Sequence, residues 1–130
     1  MDIRAIKNDR YYFWTNHAKY KLLQYGLSPT AIKKIVRRPE RTENGIAPET
    51  TAVMQRKDSK KMKREVWVMY QKSKSTSQSL RIKNLQNDLS MSKVKIISAW
   101  IYPGVSPKDR EIFVPEDVWM ELQSGMGDEI

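Results

Sequence analysis

Hydrophobic positions recur at helical spacing over residues 15–38. From His17, Ala18, Leu22, Leu23 and Tyr25 make an apolar stripe, Thr15 or Asn16 precedes it as N-cap, and Gly26 follows where a left-handed cap belongs. Ser28-Pro29 restarts the pattern, because serine caps and a proline at the first helical position loses no hydrogen bond. Ala31, Ile32, Ile35 and Val36 then share one side, Lys33, Lys34, Arg37 and Arg38 face outward, and Pro39 ends the run. The basic last turn complements the helix dipole. Two short consecutive helices are therefore expected, with Tyr11-Tyr12-Phe13-Trp14 before them as a short strand or apolar lead-in.

Further on the period shifts toward two. Thr50–Gln55 and Lys63–Lys72 have strand character and should pair as an antiparallel hairpin. Lys93–Tyr102 alternates Val94, Ile96, Ser98, Trp100 and Tyr102 with Ile97, Ala99 and Ile101, and apolar residues on both faces predict an interior strand. Arg41–Glu49, with Asn-Gly and a proline, reads as loop. Residues 73–92, rich in serine, lysine and asparagine, read as a flexible insertion. Pro115-Glu116-Asp117 opens a helix running to Gln123. The expected fold class is α+β: two N-terminal helices on one face of a small antiparallel sheet, over 1–104, followed by an acidic extension, 105–130. The other face should stay partly open and expose aromatic and basic strand residues.

Charge sharpens this picture. The chain of 130 residues carries a formal net charge of +9, unevenly placed: residues 1–104 hold 22 basic against 8 acidic residues, a net +14, whereas 105–130 hold 2 against 7, a net −5. A basic body of this size points to a polyanionic partner, with nucleic acid ahead of an anionic membrane face or an acidic protein. No apolar run approaches the roughly 18 residues of a spanning helix, and Met1–Arg10 lacks the apolar core of a secretory signal, so no membrane partner and a cytoplasmic location are expected. With no cysteine and one histidine there is neither a thiol nucleophile nor a cysteine or multi-histidine metal site; no cofactor is expected.

The order Phe13-Trp14-Thr15-Asn16-His17-Ala18, Leu22, Gly26-Leu27-Ser28, Ile32 and Ile35, then Arg38-Pro39-Glu40, resembles the opening of a family of small bacterial domains of unknown function related by fold to the RelE/ParE-like and BrnT-like toxins. Glu65–Tyr70 and Lys93–Trp100 look like its paired strands, so the resemblance covers roughly residues 11–103. Where the family usually carries arginine after the histidine and before the glycine, this chain has Lys21 and Tyr25. The resemblance implies RNA binding and a metal-independent ribonuclease activity, with an acidic antitoxin as protein partner. A non-catalytic nucleic-acid-binding or partner-binding module on the same fold is the alternative.

Cleavage through a 2′-hydroxyl builds charge on phosphate, so fixed cations lower the barrier while one group, His17, Tyr70 or Tyr102, takes the proton. Candidates for catalysis are His17, Lys61, Arg64 and Tyr70, and for nucleic-acid binding Lys21, Arg41, Arg56, Lys57, Lys60 and Tyr102. The richest segment is 56–64, where seven of nine residues are charged and six are cationic. It is either a phosphate-binding tip or a solvated turn that protects a sheet edge. His17 is either a general base or a structural bridge from helix to sheet. Trp67, Trp100, Tyr70 and Tyr102 either stack on bases or fill the core, with Trp100 expected to be buried. Asp109, Glu111, Glu116, Asp117 and Glu121 either fold back to compete with nucleic acid or form a solubilising extension with a docked helix.

Overall fold

The computed structural model describes residues 6–72, 94–108 and 111–123; the insertion read at 73–92 lies outside them. Strand β1 (Tyr12–Trp14) leads into helices α1 (Asn16–Tyr25) and α2 (Pro29–Arg37). Strands β2 (Arg41–Asn44), β3 (Thr50–Arg56), β4 (Arg64–Lys72) and β5 (Val94–Pro103) follow, and helix α3 (Glu116–Gln123) comes last. The five strands form one sheet in the order β1-β5-β4-β3-β2.

The two N-terminal helices form where the capping residues place them. Thr15 Oγ1 accepts the Ala18 N–H at 3.0 Å, and Gly26, at φ 68°, turns its N–H back to the carbonyls of Leu22 and Leu23. Ser28 Oγ accepts the Ala31 N–H at 3.1 Å, with Pro29 in the first turn of α2. Both helices lie on one face of the sheet, where Ala18, Leu22, Ile32 and Ile35 pack with Trp14, Val53, Val66, Val68 and Ile96. Leu22, Ile32 and Ile35 are fully buried, and each contributes about 2 kcal/mol through area removed from water.

Four departures from the sequence reading have physical causes. The sheet is mixed, not antiparallel: β1 runs parallel to β5, with Tyr12 opposite Val94 and Trp14 opposite Ile96. A strand of three residues takes its direction from its neighbour, and no local pattern specifies that. Second, Arg41–Asn44 is a strand rather than loop, paired with Thr51–Met54 of β3. The turn carried by Asn-Gly follows it, so only the second half of Arg41–Glu49 is turn.

Third, the alternation along β5 breaks. Met69 pairs with Ser98 but Tyr70 with Ile96, which leaves Ile97 bulged. A one-residue slip exchanges faces, so Val94, Ile96 and Ala99 join the core under α1 and α2 while Ile97 and Trp100 face the other way. Fourth, that other face is not open. The C-terminal segment crosses it, and Val114 and Val118 close a second core with Ala52, Met54, Trp67, Met69, Ile97 and Trp100. Trp67 and Trp100 stack there, 6.4 Å between centroids and 8° from parallel.

Gly45 marks a close approach in the β2–β3 turn. A Cβ there would run into the Thr50 side chain, with Thr50 Cβ at 2.7 Å, beside the bond from Gly45 N–H to Thr50 O at 2.9 Å. Gly45→Ala is expected to lower stability by about 2 kcal/mol, measurable by urea unfolding; an unchanged midpoint would contradict this packing.

Candidate functional site

The β3–β4 hairpin carries the densest charge. Its turn closes through Lys57 N–H to Arg64 O and Ser59 N–H to Met62 O, both 2.9 Å. Asp58 is the tip's one carboxylate, and Oδ1 accepts from Arg56 Nη2 at 2.9 Å and from the Arg64 N–H at 3.0 Å. The Arg56 hydrogen bond, helped by that from Arg64, holds the Asp58 carboxyl below its ordinary value. Asp58 therefore shapes the turn and pairs directly with Arg56, while among the tip lysines its field reaches Lys63. Lys57, Lys60, Lys61 and Lys63 are exposed, and the salt bridges among the described residues leave all four out.

A second group of cations adjoins this tip. Gln55 Nε2, at the end of β3, donates to Arg38 O at 2.7 Å and reaches Lys34 O at 3.5 Å. The Arg56 N–H donates to Glu40 Oε2 at 2.9 Å. These bonds fasten the C-terminal turn of α2 to the base of the hairpin. Lys34, Arg37 and Arg38, all exposed, are thus held beside the base of the hairpin that carries the four lysines. The sequence shows their outward position but not this junction; the only signal was a basic last turn before Pro39.

The remaining candidates are dispersed. Arg64 is half-buried along the hairpin, Nε donating to Lys57 O at 3.1 Å. Arg56 braces the hairpin through Asp58, Glu65 and the Gly104 carbonyl. Arg41 is buried, bonded to Glu43 at 2.6 Å, Ser106 Oγ at 2.8 Å and Pro107 O at 2.9 Å, and it lies over Trp67. Lys21 and His17 lie against α3, through Asp117 and Glu121. Tyr70 is buried in the core beneath α1 and α2, where desolvation raises its pKa. Tyr102 is half-buried against Phe113.

Strand geometry separates these groups. His17 bonds Ser98, which pairs with Met69, five residues along β4 from Arg64. At about 3.3 Å per residue that is roughly 17 Å, and Tyr70 is about 20 Å from Arg64. A single phosphate cannot touch Arg64 and either His17 or Tyr70 together, and Tyr102, opposite Glu65 one step along the ladder, stands on the other face of the sheet from Arg64. Trp67 and Trp100 are buried, Trp100 as expected, so neither offers a stacking face.

No family model, curated protein or solved structure matches this chain. The site therefore rests on its own geometry. Among the described residues no three His, Asp or Glu side chains gather where they could hold a metal ion, and no helix is long and apolar enough to cross a membrane.

Proposed function

We propose that this chain is an RNA-binding domain that grips the phosphate backbone along the ridge formed by the hairpin tip and the end of α2. One observation carries the reading: seven exposed cations, Lys34, Arg37, Arg38, Lys57, Lys60, Lys61 and Lys63, lie on one junction whose carboxylates, Asp58 and Glu40, are engaged by Arg56 and the backbone. Such a surface releases counterions when it meets phosphates, which supplies affinity without base recognition. The burial of Trp67, Trp100 and Tyr70 fits backbone contact better than base stacking. The resemblance to RelE/ParE-like domains favours RNA as the polyanion.

The same resemblance adds metal-independent cleavage. With His17 and Tyr70 far from Arg64, and Tyr102 on the opposite face of the sheet from it, the geometry favours the non-catalytic form of the reading. An acidic antitoxin-like protein would meet the same ridge by charge complementarity.

The test is anisotropy of a labelled single-stranded RNA titrated with protein in EDTA across a salt series, with the RNA then run on a denaturing gel. Binding is expected to weaken with salt at about 0.7 log units per log unit of salt for each phosphate neutralised, a slope near −3 for four contacts, and the RNA should stay intact. Cleavage products in EDTA would support the ribonuclease form. Absence of binding at about 50 mM salt, where such contacts are strong, would overturn the reading.

A further inference from the structure

A polar cluster around one buried cation lies away from the ridge, beneath α3. His17, Lys21 and Tyr25 are spaced four residues apart on α1 and share one stripe. Ala18 and Leu22 point to the core, while this stripe faces the C-terminal helix. Lys21 is only 3% exposed; its Nζ is 2.6 Å from Asp117 Oδ2 and 5.0 Å from the Tyr25 ring centroid. His17 Nε2 is 2.9 Å from Ser98 Oγ, and Nδ1 is 3.9 Å from Glu121 Oε1.

The β5 bulge builds the floor of this cluster. Thr15 ties α1 to it, its N–H donating to Ile96 O at 3.1 Å and its hydroxyl to Ile97 O at 3.0 Å, which sets His17 against Ser98. Bulges re-aim side chains in this way beside functional sites. Two residues along, the buried Trp100 Nε1–H has no hydrogen-bond partner among the described residues. A packed core ordinarily leaves no such donor unmet.

The cover has a narrow apolar footing. Val118 is the buried residue of α3, Val114 anchors the segment before it, Ile112 and Leu122 pack half-buried beside them, and Trp119 and Met120 are exposed. Asp117, which neutralises the buried lysine, is itself 54% exposed. A buried cation needs a counter-charge, and here it comes from a side chain that solvent reaches, on a helix with few apolar anchors. That arrangement suits an exchangeable anion.

We infer that His17, Lys21 and Ser98 form a phosphate-binding site that α3 covers, with the carboxylates of Asp117 and Glu121 standing where phosphate oxygens bind. The site takes a phosphate group when the helix lifts, and it works independently of the hairpin lysines. The acidic C-terminal segment then regulates access by occupying the site itself.

The chain has one histidine, so the His17 ring resonances are unambiguous in an NMR titration with inorganic phosphate at constant pH. In the full-length Asp117→Asn/Glu121→Gln variant these resonances are expected to shift saturably, at phosphate concentrations about fivefold below those needed in the unaltered chain, the scale of one solvent-reached ion pair. Adding Lys21→Ala should abolish the response. Glu121→Gln alone keeps the Lys21–Asp117 pair and should give a smaller gain, which preserves the test if the double variant fails to fold. Absence of a saturable shift in both variants, an equal shift with Lys21→Ala, or an equal shift with chloride at matched ionic strength would overturn the site.

Discussion

Replacing Lys57, Lys60, Lys61 and Lys63 together by alanine is expected to weaken RNA binding at least about a hundredfold at low salt and to remove nearly 3 from the salt slope. The four side chains are exposed and outside the salt bridges of the described residues, so the hairpin keeps the bonds that shape it. The melting temperature should accordingly stay within a few degrees. Lys72→Ala/Lys108→Ala removes like charge elsewhere on the exposed surface and is expected to change affinity only a few fold, through the general field. Equal losses in the two variants would mean that net charge, and not the ridge, attracts RNA.

The largest expected effect on stability is at Glu65. Its side chain is 1% exposed and accepts from the Trp67 indole at 2.9 Å, the Ser106 N–H at 2.9 Å, the Ser106 hydroxyl at 2.6 Å and Arg56 Nη1 at 3.3 Å. Ser106 in turn receives Arg41. One carboxylate thus joins the hairpin, the Trp67–Trp100 stack and the start of the segment that closes the second core. Glu65→Ala leaves these buried donors unmet and is expected to cost about 3–5 kcal/mol in urea unfolding at neutral pH. Glu65→Gln, which keeps the shape and loses the charge, should cost about 2 kcal/mol. A loss below about 1 kcal/mol for the alanine variant would show that the network does not hold the segment.

The same network has a pH signature. Burial by itself pushes the Glu65 carboxyl up, but the Ser106, Trp67 and Arg56 interactions together outweigh it and hold the value below the ordinary glutamate value. The unfolded chain therefore binds the proton more tightly. Glu65 contributes its full stabilisation above the unfolded carboxyl pKa and loses it as pH falls through that value toward the folded one. Unfolding free energies between neutral pH and pH about 3 should fall less steeply in Glu65→Gln than in the unaltered chain. Asp9, Asp58 and Asp117, also held low, keep their share of the slope. An identical slope in the variant would contradict this assignment.

Local chemistry made much of the fold legible. Thr15, Gly26, Ser28 and Pro29 bound α1 and α2 because caps satisfy backbone groups that have no other partner, and α3 begins where Pro115-Glu116-Asp117 predicts a helix start. What escaped the sequence depends on partners distant in the chain. Arg41–Asn44 has no alternation and is a strand because β3 lies beside it. The parallel β1 and the bulge at Ile97 are settled by pairing, not by the residues' own preferences. The second face reads as open because the apolar residues of its cover, Ile112, Val114, Val118 and Leu122, are scattered through an acidic segment. Of the candidate site, the hairpin lysines were visible as a charge run. Their union with Lys34, Arg37 and Arg38 was not, since it depends on Gln55 reaching the carbonyls of Lys34 and Arg38 and on the Arg56 N–H reaching Glu40.

The central claim, that RNA lies along this ridge, is tested most directly by following backbone amide resonances as a short single-stranded RNA is added at low salt. The account predicts shifts concentrated at Lys57–Arg64 and at Lys34, Arg37 and Arg38, fading as salt is raised. Shifts confined to other surfaces, such as the exposed face of α3 around Trp119 and Met120, or no shifts at saturating RNA, would contradict it.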